Sequence, residues 1–430
     1  MTRLIPVIVA LFLLLRCVAP GIAGDGAAPT GAEPIRISPS DWPWWRGPER
    51  NGIARADEKP PLHWTETENV VWRAAVPGRG HGSPTVVGDQ VFLAACDEEK
   101  EIQSVLCFDR KTGQPVWQTD VHKGGIEKKE NKKSSQASAT IACDGERLFI
   151  TFQNSKAIYL TALNRNGQQL WQKKVSDFVT HQGYGASPAL YKSLVIVASD
   201  NKGGGAIAAY DRASGELRWS HERPRLPNYT SPVILNVAGR EQLLFTGCDL
   251  VSSFEPETGK PLWEVAGATT ECVTSTVTDG KLILTSGGYP KNHMSAVKAD
   301  GSGEIVWQNG VRMYVPSLLV RDGYIYGVTD AGVAMCWKSD TGKEMWASRL
   351  GGTFTASPVL VGDLLFSTNE AGKTFVCKIS PKGCEVVAEN QLGEEVYATP
   401  TICGGRLYMR AATFKDGARH ETLYCLSDAR

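Results

Sequence analysis

The 430-residue chain has no excess charge of either sign: 46 Lys and Arg balance 46 Asp and Glu. Nucleic-acid binders are usually basic, so that class is set aside. After the first fifteen positions no apolar run approaches the roughly 20 residues that span a bilayer, so the mature protein is expected to be soluble or peripheral. No CxxC occurs, which removes zinc ribbons and CxxCH haem attachment, and no two cysteines are adjacent. Helical periodicity is scarce too. Gly (44), Trp (12), Thr and Val are plentiful instead, the composition of an all-β chain.

The N-terminus has the parts of an export signal. Arg3 supplies a positive start, Leu4 to Leu15 an apolar run, and Gly21-Ile22-Ala23-Gly24 small residues for cleavage. Residues 1–24 are therefore read as a signal peptide and 25–40 as a flexible leader rich in Gly, Ala and Pro. Cys17 follows Arg16 where a lipid-anchored chain has a small residue, which argues against lipidation. The expected product is exported, periplasmic or extracellular, and monomeric.

A repeat runs through the rest. One motif recurs as DRKTGQPVW (109–117), NRNGQQLW (164–171), DRASGELRW (211–219), EPETGKPLW (255–263), DGSGEIVW (300–307) and KSDTGKEMW (338–346). A seventh copy, KISPKGCEV (378–386), has Val386 in place of the Trp. Between these lie eight hairpin units that begin at Ser83, Ser138, Ser187, Ser231, Ser275, Pro316, Ser357 and Thr399, each turning at a Gly or Asp pair such as Gly88-Asp89 or Asp322-Gly323. A third strand precedes each Trp motif and the Trp strand is the fourth. Four strands repeated eight times predict an eight-bladed β-propeller over residues 41–430.

Closure is predicted in detail. The last unit supplies only three strands, at 399–402, 406–410 and 422–427. The fourth is found at the other end of the propeller, in residues 66–76, with Trp72 as its docking Trp, and leaves no open sheet edge. Just before it runs DWPWWRGPERNG (41–52), with three tryptophans in four residues. Exposed Trp is costly, so this 41–65 strap is expected to cross a face or rim and bury its rings.

The Thr-Gly-x-x-x-Trp copies resemble the tryptophan-docking motif of PQQ-like eight-bladed propellers, a superfamily that includes quinoprotein alcohol dehydrogenases and BamB-type outer-membrane assembly lipoproteins. The resemblance covers residues 41–430 and implies the fold much more strongly than an activity. It implies docking between blades by Trp72, Trp117, Trp171, Trp219, Trp263, Trp307 and Trp346. It also implies a small third-strand residue under each ring, here Cys107, Ala209, Ser253 and Cys336, with Cys377 and Cys425 in the divergent copies. Cysteines at such positions act as small apolar groups and need no partner. Cys377 and Cys384 flank a turn symmetrically, so a cross-strand disulfide is one alternative for that pair.

In a four-stranded blade the tight turns share one face, and the longer segments at 118–135, 172–186, 200–205, 287–294 and 411–420 share the other. Function is expected on the loop face. Candidate ligand residues there are His81, Lys123, His181, Tyr184, Asn201, Lys202 and His293, with Tyr289, Lys291 and the basic run Lys128 to Lys133 beside them. His81 and His181 would be metal or acid–base groups if they converged, and loop hydrogen-bonders otherwise.

Three functions follow. The preferred one is a non-catalytic envelope scaffold, similar to BamB, that binds a protein or other ligand through its loop face. The second is a PQQ-dependent dehydrogenase. The resemblance would then call for PQQ, Ca2+ and a catalytic Asp, but the adjacent Cys-Cys pair that covers the quinone in alcohol dehydrogenases is missing. No cofactor is therefore predicted. The third is a carbohydrate-binding propeller that uses Trp42, Trp44, Trp45 and Tyr184 as platforms.

Overall fold

A computed structural model describes residues 34–428 except 128–130 and 132. The signal peptide, Cys17, most of the leader and part of the Lys128 to Lys133 run lie outside the described residues. The described chain forms eight antiparallel sheets of the same plan, arranged as eight propeller blades. Blade 1 comprises Thr85–Val87, Gln90–Asp97, Ile102–Asp109 and Pro115–Lys123. Blades 2 to 7 follow at 142–177, 189–223, 233–266, 277–309, 319–349 and 359–391. No helix among the described residues is long and apolar enough to cross a membrane.

Blade 8 closes the ring as the sequence predicts. Its inner three strands are Thr401–Cys403, Arg406–Lys415 and Ala418–Leu426, and the fourth is Val70–Val76, paired through Trp72 with Cys425 and Ala74 with Leu423. The 411–420 segment is not a loop. It continues the second and third strands outward as a hairpin paired as far as Lys415 and Ala418.

Each docking Trp stands opposite a small residue in its own blade: Cys107 with Trp117, Ala209 with Trp219, Ser253 with Trp263, Cys336 with Trp346. A register shift adjoins each of these pairs and lets the large ring lean outward. The ring then lies on the turn of the next blade. A Cβ added to Gly113 would sit 2.5 Å from Trp72, and Gly167, Gly215, Gly259, Gly301 and Gly342 receive the five rings from Trp117 to Trp307 in the same way. The Trp72, Trp117 and Trp346 indoles also donate to the carbonyls of Arg110, Arg165 and Ser380 in the neighbouring blade.

A belt of hydroxyls joins the innermost strands. Ser83 N donates to Thr140 Oγ1, Thr140 N to Ser187 Oγ and Ser187 N to Ser231 Oγ. Ser275, Ser317, Ser357 and Thr399 continue it. In blades 2 and 6 the belt residues are therefore Thr140 and Ser317, not the Ser138 and Pro316 at which the sequence pattern begins.

The strap covers the tight-turn end of the central channel. Trp42 exchanges backbone bonds with Val86, Pro43 accepts from Cys143 N, and Arg50 reaches Leu190 O. The Trp45 indole donates to Ser275 Oγ across the channel at 2.7 Å. Arg46 donates to Leu318 O, Ile53–Ala54 adds a parallel strand to blade 7, and Glu58 accepts from Gly404 N. Trp42 and Trp44 are 2% and 6% exposed and Trp45 is half-buried, so the strap buries two of the three rings fully and the third in part. Two of the four proposed carbohydrate platforms are thereby withdrawn from solvent.

Candidate functional site: the loop-face mouth

The chain alternates as it enters each first strand. The residues one and three before the belt hydroxyl are buried or nearly so, while the residue two before it is half-exposed in every blade. Eight such positions ring the loop-face mouth: His81, Ser138, Gly185, Tyr229, Val273, Val315, Thr355 and Tyr397. The mouth is thus lined by phenols, hydroxyls, one imidazole and small apolar groups.

Two polar clusters flank this ring. On the side of blades 7, 8 and 1 the His81 ring lies 4.5 Å from that of Tyr397, and the Arg79 guanidinium covers the same phenol. Lys133 is paired with Glu370 at 2.7 Å, and Glu370 also accepts from Thr355. Arg419 is paired with both Glu395 and Glu421.

On the side of blades 3 to 6, His181 stands between Lys202 and Glu271. Lys202 Nζ is 2.9 Å from His181 Nδ1, and His181 Nε2 is 3.3 Å from Glu271 Oε1. An ammonium has no acceptor, so Nδ1 accepts and Nε2 carries the proton that faces the carboxylate. Tyr314 donates its hydroxyl to the other oxygen of Glu271 at 3.0 Å. Burial, reinforced by the Glu271 charge, pushes the Tyr314 and Tyr229 phenols up. Both remain protonated, and Tyr314 acts as a donor. Burial also raises Asp330, whose carboxylate accepts from Tyr314 N.

The structure distributes the candidate residues unevenly. His181 and Lys202 meet, and His81 reaches the mouth, but the two histidines have separate partners and do not form one site. Lys123 lies on the outermost strand of blade 1, paired with Asp120 at 3.2 Å. Tyr184 donates to Ala198 O and sets its ring edge-on to Phe178, which holds it as part of the wall. Asn201 is buried and donates to the carbonyls of Asp177, Ser199 and Gly204, a staple for its own loop. His293 is buried against Gly267 O. Glu271, Tyr229, Tyr314 and Tyr397 were not anticipated. The offset that singled out His81, two before the belt serine, would also have found Tyr229 and Tyr397. Glu271 and Tyr314 carry no local signal.

Among the described residues, no three His, Cys, Asp or Glu groups converge as metal ligands. Glu271 lies on the other side of the ring from Glu370 and Glu395, and each of the three is already engaged by a cation or hydroxyl donor. Cys377 and Cys384 are not joined by a disulfide.

The family model described as outer membrane protein assembly factor BamB matches residues 49–177, 101–348 and 338–424. Outer membrane protein assembly factor BamB of Burkholderia pseudomallei (strain K96243) is 27% identical over 353 residues, covering 78% of this chain and 84% of that protein. The structure of BamB from Moraxella catarrhalis superposes with a TM-score of 0.58 at 15% identity, over 83% of this chain and 99% of that one. A europium-containing methanol dehydrogenase gives 0.65 at 13% identity, over 91% and 98%. The two structural likenesses share the fold.

Proposed function

This chain belongs to the outer membrane protein assembly factor BamB family of PQQ-like propellers, and from that premise we propose that it is a non-catalytic scaffold of the bacterial envelope that holds a segment of a partner protein at its loop face. One observation carries the reading: the strap seals the tight-turn end of the channel, and the loop-face mouth is left as the end with half-exposed side chains. Around that mouth the rim presents Val179, Tyr289 and Phe414, each about half exposed, as apolar contacts a protein partner can cover.

The dehydrogenase reading is supported less well. Calcium takes six to eight oxygens, roughly, from several carboxylates and carbonyls. The mouth carboxylates are dispersed and already bonded, so these residues do not fit a calcium-held quinone.

A photoreactive residue placed singly at Val179, Tyr289 and Phe414 is expected to trap a partner in whole cells, whereas the same residue at Asp340 on a tight turn is not. Equal adducts from Asp340 would discard the loop-face scaffold. So would a saturable quench of tryptophan fluorescence by PQQ and Ca2+ with a matching rise in Tm.

A further inference from the structure

We propose that the loop face of blades 3 to 6 is a docking crescent for an acidic, extended polypeptide segment. The proposal rests on the scaffold reading and specifies the chemistry of the partner. Lys202, Arg225, Lys291 and Arg312 are all exposed there. Where their heads have contacts, these are neutral: Lys202 on the His181 imidazole, Arg312 on the Gly288 carbonyl and the Asn292 amide, each of the latter at 3.4 Å. Among the described residues none of the four is ion-paired. Several cations elsewhere on the same face are paired, as Lys133 is with Glu370, Lys373 with Glu389 and Arg419 with Glu395, while Lys156 and Lys415 stand singly on other blades among the described residues. In a chain of zero net charge, this arc gathers four exposed cations that form no ion pair among the described residues.

The arc is continuous. Arg225 packs against Gly204, beside Lys202. Lys202 touches His181, which touches Glu271. Glu271 pairs through its backbone with Tyr289, at the loop that carries Lys291, and Arg312 covers the Tyr314 ring. The carboxylates inside the arc do not neutralise it: Glu271 is buried and bonded to His181 and Tyr314, and Asp330 is held by a backbone N–H. Asp249 and Glu222 are exposed exceptions, and Asp249 accepts from Thr270.

Shape selects the partner class. The cations surround a recessed mouth, which a narrow chain enters more readily than a flat bilayer. Val179 and Tyr289 add apolar contacts along the arc, so acidic side chains alternating with apolar ones, as in an extended strand, match it. Charge complementarity of this kind sets specificity and association rate and is weakened by salt.

The test is fluorescence anisotropy of a labelled peptide of repeating Glu-Tyr-Glu-Leu against the full mature protein. Among the described residues Arg225 and Lys291 make no side-chain hydrogen bonds or ion pairs, so the Arg225→Glu/Lys291→Glu variant is expected to keep the wild-type Tm. It should bind at least about tenfold more weakly. Wild-type affinity should fall as NaCl rises from about 50 to about 300 mM. Glu394→Lys, on the opposite rim, should change affinity by less than about twofold. Absence of peptide binding, equal losses in both variants, or binding to phosphatidylglycerol vesicles through the same cations without peptide binding would each overturn the proposal. Photo-adducts that persist at Phe414 while the peptide fails would discard the crescent and leave the scaffold reading standing.

Discussion

Gly113 and Gly417 share a left-handed backbone, at φ 72° and 78°, and differ in what lies over them. An added Cβ at Gly113 would enter the Trp72 ring, whereas at Gly417 it meets open space. Gly417→Ala should therefore cost only the conformational term, about 1 kcal/mol. Gly113→Ala should cost about 3 kcal/mol, because the indole must also leave its seat. Denaturant unfolding of both variants checks this, and equal losses would mean the docking contact contributes nothing. His122 makes a second case. It packs against Phe152 and Tyr159, and burial pushes its pKa down to about 4. The unfolded chain takes up a proton near pH 6.5 that the folded ring refuses until about pH 4. This contribution is therefore intact above that window and is lost as pH falls through it, by at most about 2 kcal/mol between pH 7 and 5. His122→Phe should unfold with a shallower pH dependence over that range. Parallel profiles for the two proteins would refute the assignment.

At the scale of elements, the one missing tryptophan has a geometric cause. Each docking ring rests on the third-to-fourth-strand turn of the following blade, but blade 8 has no such turn. There the third strand ends at Leu426 and the fourth begins anew at Val70, so a Trp at Val386 would have no glycine turn to cover. The seventh copy diverges where ring closure removes its partner. The same junction makes the closing strand separable. A chain that lacks residues 69–76 should expose the edge of Ala418–Leu426 and associate or aggregate. A synthetic peptide of residues 69–76 added in trans should restore a monomer and raise Tm, as donor strands do. Size-exclusion chromatography with and without peptide decides it, and a truncated chain that stays monomeric and equally stable would show that the strand is dispensable. This closure was legible because the last unit is one strand short and a single unpaired strand, 69–76, stands before the first hairpin unit, both visible to a count of strands.

At the scale of the whole molecule, legibility divides along sequence distance. Blades are local, and their turns, Trp motifs and alternation repeat within about 45 residues, so they can be read directly. The mouth is non-local. His181, Glu271 and Tyr314 come from three different blade connections, and only the curvature of the ring brings them within hydrogen-bond reach. The strap behaves likewise: three rings in four residues signalled burial, but nothing local foretold that Trp45 would reach Ser275, 230 positions away.

Closure by the first strand also sets a schedule. Val70–Val76 leaves the ribosome early, and its partner Glu421–Leu426 follows about 350 residues later. At roughly 5–20 residues per second, synthesis of the intervening chain takes on the order of 20–70 s. Throughout that interval the strand bearing Trp72 has no strand to pair with, however many blades have formed behind it. The ring cannot be finished before Glu421–Leu426 has been made, and whatever shields the waiting strand in the meantime is as much a requirement of this architecture as the blades themselves.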